Sequence, residues 1–140
     1  MDTAETKCVI VLDEALPAGV LTNTAAIMGM TLGKCLPEAV GEDVVDSTGC
    51  CHPGIVTVPV PVLKCDRDTL KHIRSRLYEE AYSDLTVVDF TDVARSCRDY
   101  SEYTRKTAGT AEHEMRYLGI AICGNRKKVS RLTGNMPLLR

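Results

Sequence analysis

Two aspartates close apolar runs in this 140-residue chain: Asp13 ends the run from Lys7, and Asp89 ends the run from Leu85. In α/β sheets, ligands gather outside the carboxyl ends of the strands. If the two runs form parallel strands, both carboxylates share one rim. Thr91 and Asp92 follow Asp89 directly, and Arg98 and Tyr100 come a few residues later. A carboxylate beside a hydroxyl and a guanidinium can orient a water or hold a polar ligand. Asp89 is therefore the candidate catalytic residue, with Thr91, Asp92, Arg98 and Tyr100 as candidate ligand-binding neighbours. Capping the turn that follows is the commoner role of an aspartate at a strand end, for Asp13 more than for Asp89. Asn23 and Thr24 fall in the first turns of a helix that begins near Ala18, where the positive helix end favours contact with a ligand.

Cys50-Cys51-His52-Pro53-Gly54 combines residue types that ligate zinc or pair as nucleophile and base. No second cysteine pair stands at zinc-ligand spacing, and neighbours along an extended segment point apart. His52 is expected as a polar group at a pocket edge, and no metal is expected. His72 and His113 read as surface residues. The turn Leu16-Pro17-Ala18-Gly19 lacks the glycine spacing of a dinucleotide or phosphate loop, and no Gly-x-Ser-x-Gly elbow is present. No cofactor is expected. Any reaction at this rim would be hydrolytic, and the alternative is a binding module without catalysis.

The chain has seven cysteines, a polar and acidic start at Met1-Asp2-Thr3-Ala4-Glu5, and no apolar run near the ~20 residues of a membrane span. These features predict a cytoplasmic protein with reduced thiols, in which Cys8, Cys65 and Cys123 pack as small apolar groups. An apolar fraction of 44% and a charged fraction of 26% are ordinary for one globular domain, here residues 1–140. The net charge of −2 divides unevenly: residues 124–140 carry +5 and the rest −7. With five Tyr, one Phe and no Trp, stacking platforms for nucleic acid are scarce. Nucleic acid and membrane are not expected partners. A small-molecule ligand and a second copy of the chain are.

The elements that must position these groups follow from periodicity. Strands are predicted over Lys7–Asp13, Leu85–Asp89 and Tyr117–Cys123. Near-continuous apolar runs of this kind suit a sheet covered on both faces by helices. A helix over Ala18–Leu32 places Leu21, Ala25, Met28 and Leu32 on one face and stops at Gly33. Residues 34–54 form a long connection, with a short strand at Asp43–Asp46. The β-rich Ile55–Leu63 segment carries Pro59 and Pro61, which confine it to a sheet edge. A helix capped by Asp66 or Asp68 runs to about Tyr82. Short helices follow at Asp92–Cys97, Glu102–Thr107 and Ala111–Met115, and a last one at Arg126–Thr133. The end Pro137–Arg140 is expected extended and partly buried.

Several stretches together carry a resemblance. They include Val11–Gly19, Val40–Asp46, His52-Pro53-Gly54-Ile55, Pro59–Lys64, Val87–Asp92, Arg98-Asp99-Tyr100, Tyr117-Leu118-Gly119, Arg131–Gly134 and Pro137–Arg140. They resemble the small bacterial domain-of-unknown-function family numbered two thousand, over nearly the whole chain. That family in turn resembles the type II peptidyl-tRNA hydrolases in fold. The resemblance implies a three-layer α/β/α domain, a four-stranded mixed sheet with the proline-rich strand at its edge, and a homodimer. Of the hydrolase site residues, Asp89 alone carries over by position. Phe90 and Thr91 replace the small residues after it, the turn Glu14–Gly19 has no lysine, and Asn23 is the nearest amide.

Overall fold

The structure, a computed structural model, describes residues 1–140. Its sheet is built on the two most apolar runs, β1 (Thr6–Asp13) and β6 (Tyr117–Asn125), which are buried over most of their lengths. With β4 (Val62–Cys65) and β5 (Thr86–Thr91) they form a mixed sheet in the order β4-β1-β6-β5. β1 is parallel to β4 and antiparallel to β6, which is antiparallel to β5. β1, β4 and β5 therefore point the same way. Their carboxyl ends and the start of β6 make up one rim.

Strand alternation then decides which residues meet which helix. Cys8, Ile10 and Leu12 of β1, with Ala121 and Cys123 of β6, pack against Met28 and Leu32 of α1 (Ala18–Cys35). On the opposite face, Val9, Val11, Ile120 and Ile122 meet Leu70, Ile73 and Leu77 of α2 (Arg67–Leu77) and Val129 and Leu132 of α5 (Arg126–Thr133). A small hairpin of β2 (Val44–Val45) and β3 (Cys51–His52) follows α1. Two short helices, α3 (Asp92–Arg95) and α4 (Tyr100–Ala108), leave β5. No helix is long and apolar enough to cross a membrane.

Several boundaries differ from the periodicity reading. Gly33 lies inside α1, which ends at Cys35 because Leu36 precedes Pro37 and leaves the helical conformation. The proline-rich run is not a strand from Ile55. Val56 makes one bridge to Val40, and regular pairing starts only at Val62, past the donorless Pro59 and Pro61. β4 is an edge strand, and the chain end covers its outer side: Lys64 N–H donates to Pro137 O, and Leu139 N–H to Val62 O. The helix after Asp66 ends at Leu77, and residues 80–82 form a separate 3-10 turn. α4 starts two residues earlier than expected, at Tyr100, because Asp99 caps it by accepting from Glu102 N–H.

Cys8 and Cys123 also depart from expectation. They are paired residues on adjacent strands and are joined by a disulfide, so they are not the free, apolar thiols the sequence suggested. Both sit in the core against α1.

Gly119 determines how close α1 comes to the rim. A Cβ there would stand 2.7 Å from Met28 Cε, 2.8 Å from Leu12 Cδ2 and 3.0 Å from Thr24 Cγ2. Its missing side chain lets the first half of α1 lie directly on the sheet.

Candidate ligand site at the strand-end rim

Asp13, the last residue of β1, is fully buried. A buried carboxylate is costly unless paired and hydrogen-bonded. Here Oδ2 accepts from a terminal nitrogen of Arg116 at 2.9 Å, and Oδ1 accepts from Ala15 N–H at 3.0 Å. Arg116 lies just before β6, and its side chain is 33% exposed. Its backbone N–H donates to Asp92 Oδ1 at 3.0 Å, and Asp92 N–H donates to its carbonyl at 2.9 Å. Asp92 Oδ1 also accepts from Val93 N–H, while no protein donor engages Oδ2. The Arg116 Nε is buried and has no partner.

These groups border a cleft of about 260 Å³ lined by Leu16, Asp92, Arg95, Ser96, Arg116 and Leu118. Two leucines and four polar side chains line it, so its polar groups converge in a setting smaller and more polar than most small-molecule pockets offer. Arg95 makes no ion pair and borders a second cleft, of about 220 Å³, with Gly19, Val20, Asn23, Thr24 and Phe90. Thr24 is fully buried, and its hydroxyl has no partner.

The expected site residues divide among these surfaces. Asp92 and Asn23 line the two clefts that share Arg95. Thr91 is buried at the rim, and its hydroxyl caps α3 by accepting from Ala94 N–H at 3.2 Å. Asp89 lies on the other side of the sheet edge: Arg74 of α2 donates from Nε to Oδ2 at 2.9 Å, and the Arg74 guanidinium lies 4.0 Å from the Tyr78 ring centre. Asp89, Arg98 and Tyr100 border a third groove, about 430 Å³, along the β5 edge with Ile27, Phe90 and Tyr103.

His52 does not join them. α1 starts at the rim and carries the chain about 27 Å away from it. The hairpin is rooted at that far end, by the Val40–Val56 bridge, and leads into the start of β4. His52 Nε2 lies 2.8 Å from Asp46 Oδ2. Hydrogen bonds from His52, then Thr48 and the Cys50 N–H, hold the exposed Asp46 carboxyl well below the usual carboxylate range. Asn23, Asp89 and His52 thus occupy three separate surfaces and do not form one constellation. The clefts gain instead two residues that sequence reasoning passed over, Arg95 and Arg116. Arg116 carried a usable signal, since it immediately precedes an apolar run that starts at the rim.

A mixed four-stranded sheet, with five helices and a polar cleft at one rim, places the molecule among α/β proteins. The chain belongs to the family described as protein of unknown function (DUF2000), whose model matches residues 6–140. It is similar to the solved structure of a protein of unknown function from Agrobacterium tumefaciens strain C58, with a TM-score of 0.85 and 19% identity. That match covers 96% of this chain and 97% of the other, and at this identity it shows the fold alone. No curated protein matches.

Proposed function

We propose that the protein binds a small polar ligand in the rim cleft between Asp92, Arg95 and Arg116. The observation that carries this reading is the Arg116 guanidinium. One end is fixed by the buried Asp13 carboxylate, and Nε is left buried and unpartnered beside an open cleft. An unsatisfied buried donor costs roughly 1–3 kcal/mol, which a ligand acceptor or a bound water would recover. Asp92 faces the same space with a free carboxylate oxygen, so it can accept from the ligand or take a proton from a water. In its hydrolytic form, the reading gives Asp92 the role of base and Arg95 and Arg116 the stabilisation of developing negative charge. Kinship with the type II peptidyl-tRNA hydrolase fold and a cytoplasmic setting belong to this reading. Asp89 is reassigned as the partner of Arg74, supporting β5 from behind.

The test is a saturation-transfer NMR screen of small polar metabolites against wild type, Arg95→Ala and Asp92→Asn. Compounds that bind wild type and weaken at least tenfold in both variants support the site. Binders indifferent to both variants place the site elsewhere.

A second reading, a homo-oligomer, is favoured by α1. No charged side chain occurs from Ala18 to Gly33, Met30 is 82% exposed, and Ile55, which follows the β2–β3 hairpin, is 80% exposed. Large apolar side chains left exposed on an uncharged helix face mark a candidate contact surface. Light scattering of wild type and Met30→Glu tests it: a dimer that dissociates in the variant supports the reading, and a wild-type monomer rejects it.

A further inference from the structure

We propose that the second cleft, between the first two turns of α1 and Arg95, is a phosphate subsite. This inference rests on the rim being a ligand site and names the chemical group carried by that ligand.

Four observations converge. Thr24 is 0% exposed and borders the cleft, yet its hydroxyl has no hydrogen-bond partner. Most helical threonines satisfy that hydroxyl on a carbonyl of the preceding turn, as Thr22 does on Ala18 O and Gly19 O. The Thr24 methyl is the group placed over Gly119, so packing against the sheet decides its rotamer and leaves the hydroxyl free. The Asn23 side chain forms no hydrogen bond within the protein, and Arg95 forms no ion pair. The eighteen-residue α1 opens without a side-chain cap and without an acidic residue in its first turn; Val20 and Leu21 N–H donate to Pro17 O, which leaves the Ala18 and Gly19 N–H groups free at its start. Finally, no carboxylate lines this cleft, in contrast to its neighbour across Arg95.

A hydroxyl, the NH2 of an amide, a guanidinium and a helix start can all donate to one ligand, and none of them carries negative charge. That combination suits an anion with several acceptor oxygens spread over a tetrahedron. A carboxylate, with two coplanar oxygens, would leave part of the donor set unused. The two clefts then divide the work. A phosphate at α1 would anchor the ligand, and the remainder would lie toward Asp92 and Arg116 through the shared Arg95.

The experiment uses the full chain and inorganic phosphate, with sodium acetate and sodium chloride at matched ionic strength as comparison arms. Amide chemical shifts are followed by two-dimensional NMR in wild type, Arg95→Ala and Thr24→Val. Thr24→Val keeps the shape of a buried side chain and removes only the unpartnered hydroxyl, so it should fold as well as wild type. The expected result is saturable shifts at Gly19, Val20, Asn23 and Thr24 with phosphate but not with chloride. Affinity should fall at least tenfold in Arg95→Ala and about three- to tenfold in Thr24→Val. Equal binding of acetate and phosphate, shifts that never saturate, or affinity unchanged in both variants would overturn the proposal. Neutral polar compounds that bind at Asp92 and Arg116 while phosphate fails would remove this inference and leave the rim site standing. Phosphate that saturates here while no compound reaches Asp92 would uphold the subsite and refute the larger site.

Discussion

Loss of the Asp13–Arg116 pair should be the most damaging polar change at the rim. Arg116→Gln removes the guanidinium that neutralises a carboxylate with no exposed surface. Breaking a fully buried pair typically costs about 3–5 kcal/mol. Arg116 is 33% exposed, so water offsets part of that loss, and about 2–4 kcal/mol is expected. For a chain of this size, 1 kcal/mol corresponds to roughly 3–5 °C in Tm, which gives a drop of about 6–20 °C. Asp13→Asn keeps the acceptor for Ala15 N–H but loses the charge attraction, and should cost less than Arg116→Gln. The double variant restores neutrality, so its cost should fall below the sum of the singles by about 1–3 kcal/mol. Urea unfolding followed by circular dichroism measures all four proteins, with equal m-values as the check that the folded states match. Two single variants that each lose under about 1 kcal/mol, and that add in the double, would refute a buried, coupled pair.

Other consequences follow from the packing and the titrating groups. Deleting residues 134–140 removes the two hydrogen bonds over the outer edge of β4 and the packing of Met136 and Leu139. It should cost about 2–4 kcal/mol, read as a lower Tm, and an unchanged melting curve would contradict a structural tail. The carboxyls of Asp66, Asp84 and Glu102 are held below their ordinary values by hydrogen bonds from Thr69, Lys128 and Lys106 respectively. The unfolded chain binds protons there first, so stability should be level above the ordinary carboxylate range and fall as acid protonates these groups in the fold. Stability that rises on acidification, measured by urea midpoints across pH, would contradict the sign. Five cysteines should titrate as free thiols in the denatured, unreduced protein, and seven after reduction, because Cys8 and Cys123 are bonded. Burial, then nearby Asp66, pushes the Cys65 thiol up to about 12, so alkylation at mildly alkaline pH should reach exposed Cys35, Cys50 and Cys51 first.

How far the sequence alone leads differs from residue to residue. The apolar runs of β1 and β6 identified the centre of the sheet, because strands buried on both faces need continuous apolar residues. Pro59 and Pro61 placed their segment at an edge, where a missing donor costs nothing. Asp89 was legible as a residue near a strand end but not by its direction. A one-residue step along β5 turns the side chain to the opposite face, toward Arg74. His52 was misplaced because residues 34–54 contain no periodicity that fixes which end of the sheet they occupy. Arg95, at the end of the four-residue α3, and Arg116, just before β6, look like surface charge until a buried aspartate or an uncapped helix is found beside them. The Cys8–Cys123 bond depends on strand register, which no spacing along the chain reveals.

The most direct test of the rim site is a crystal structure of the full chain soaked with a mixture of small polar and phosphorylated compounds. The account predicts an ordered compound between Asp92, Arg95 and Arg116, with an acceptor atom within hydrogen-bonding distance of Arg116 Nε. A compound ordered only in the β5-edge groove or at the Cys51–His52 hairpin, with the rim clefts holding nothing but water, would contradict it.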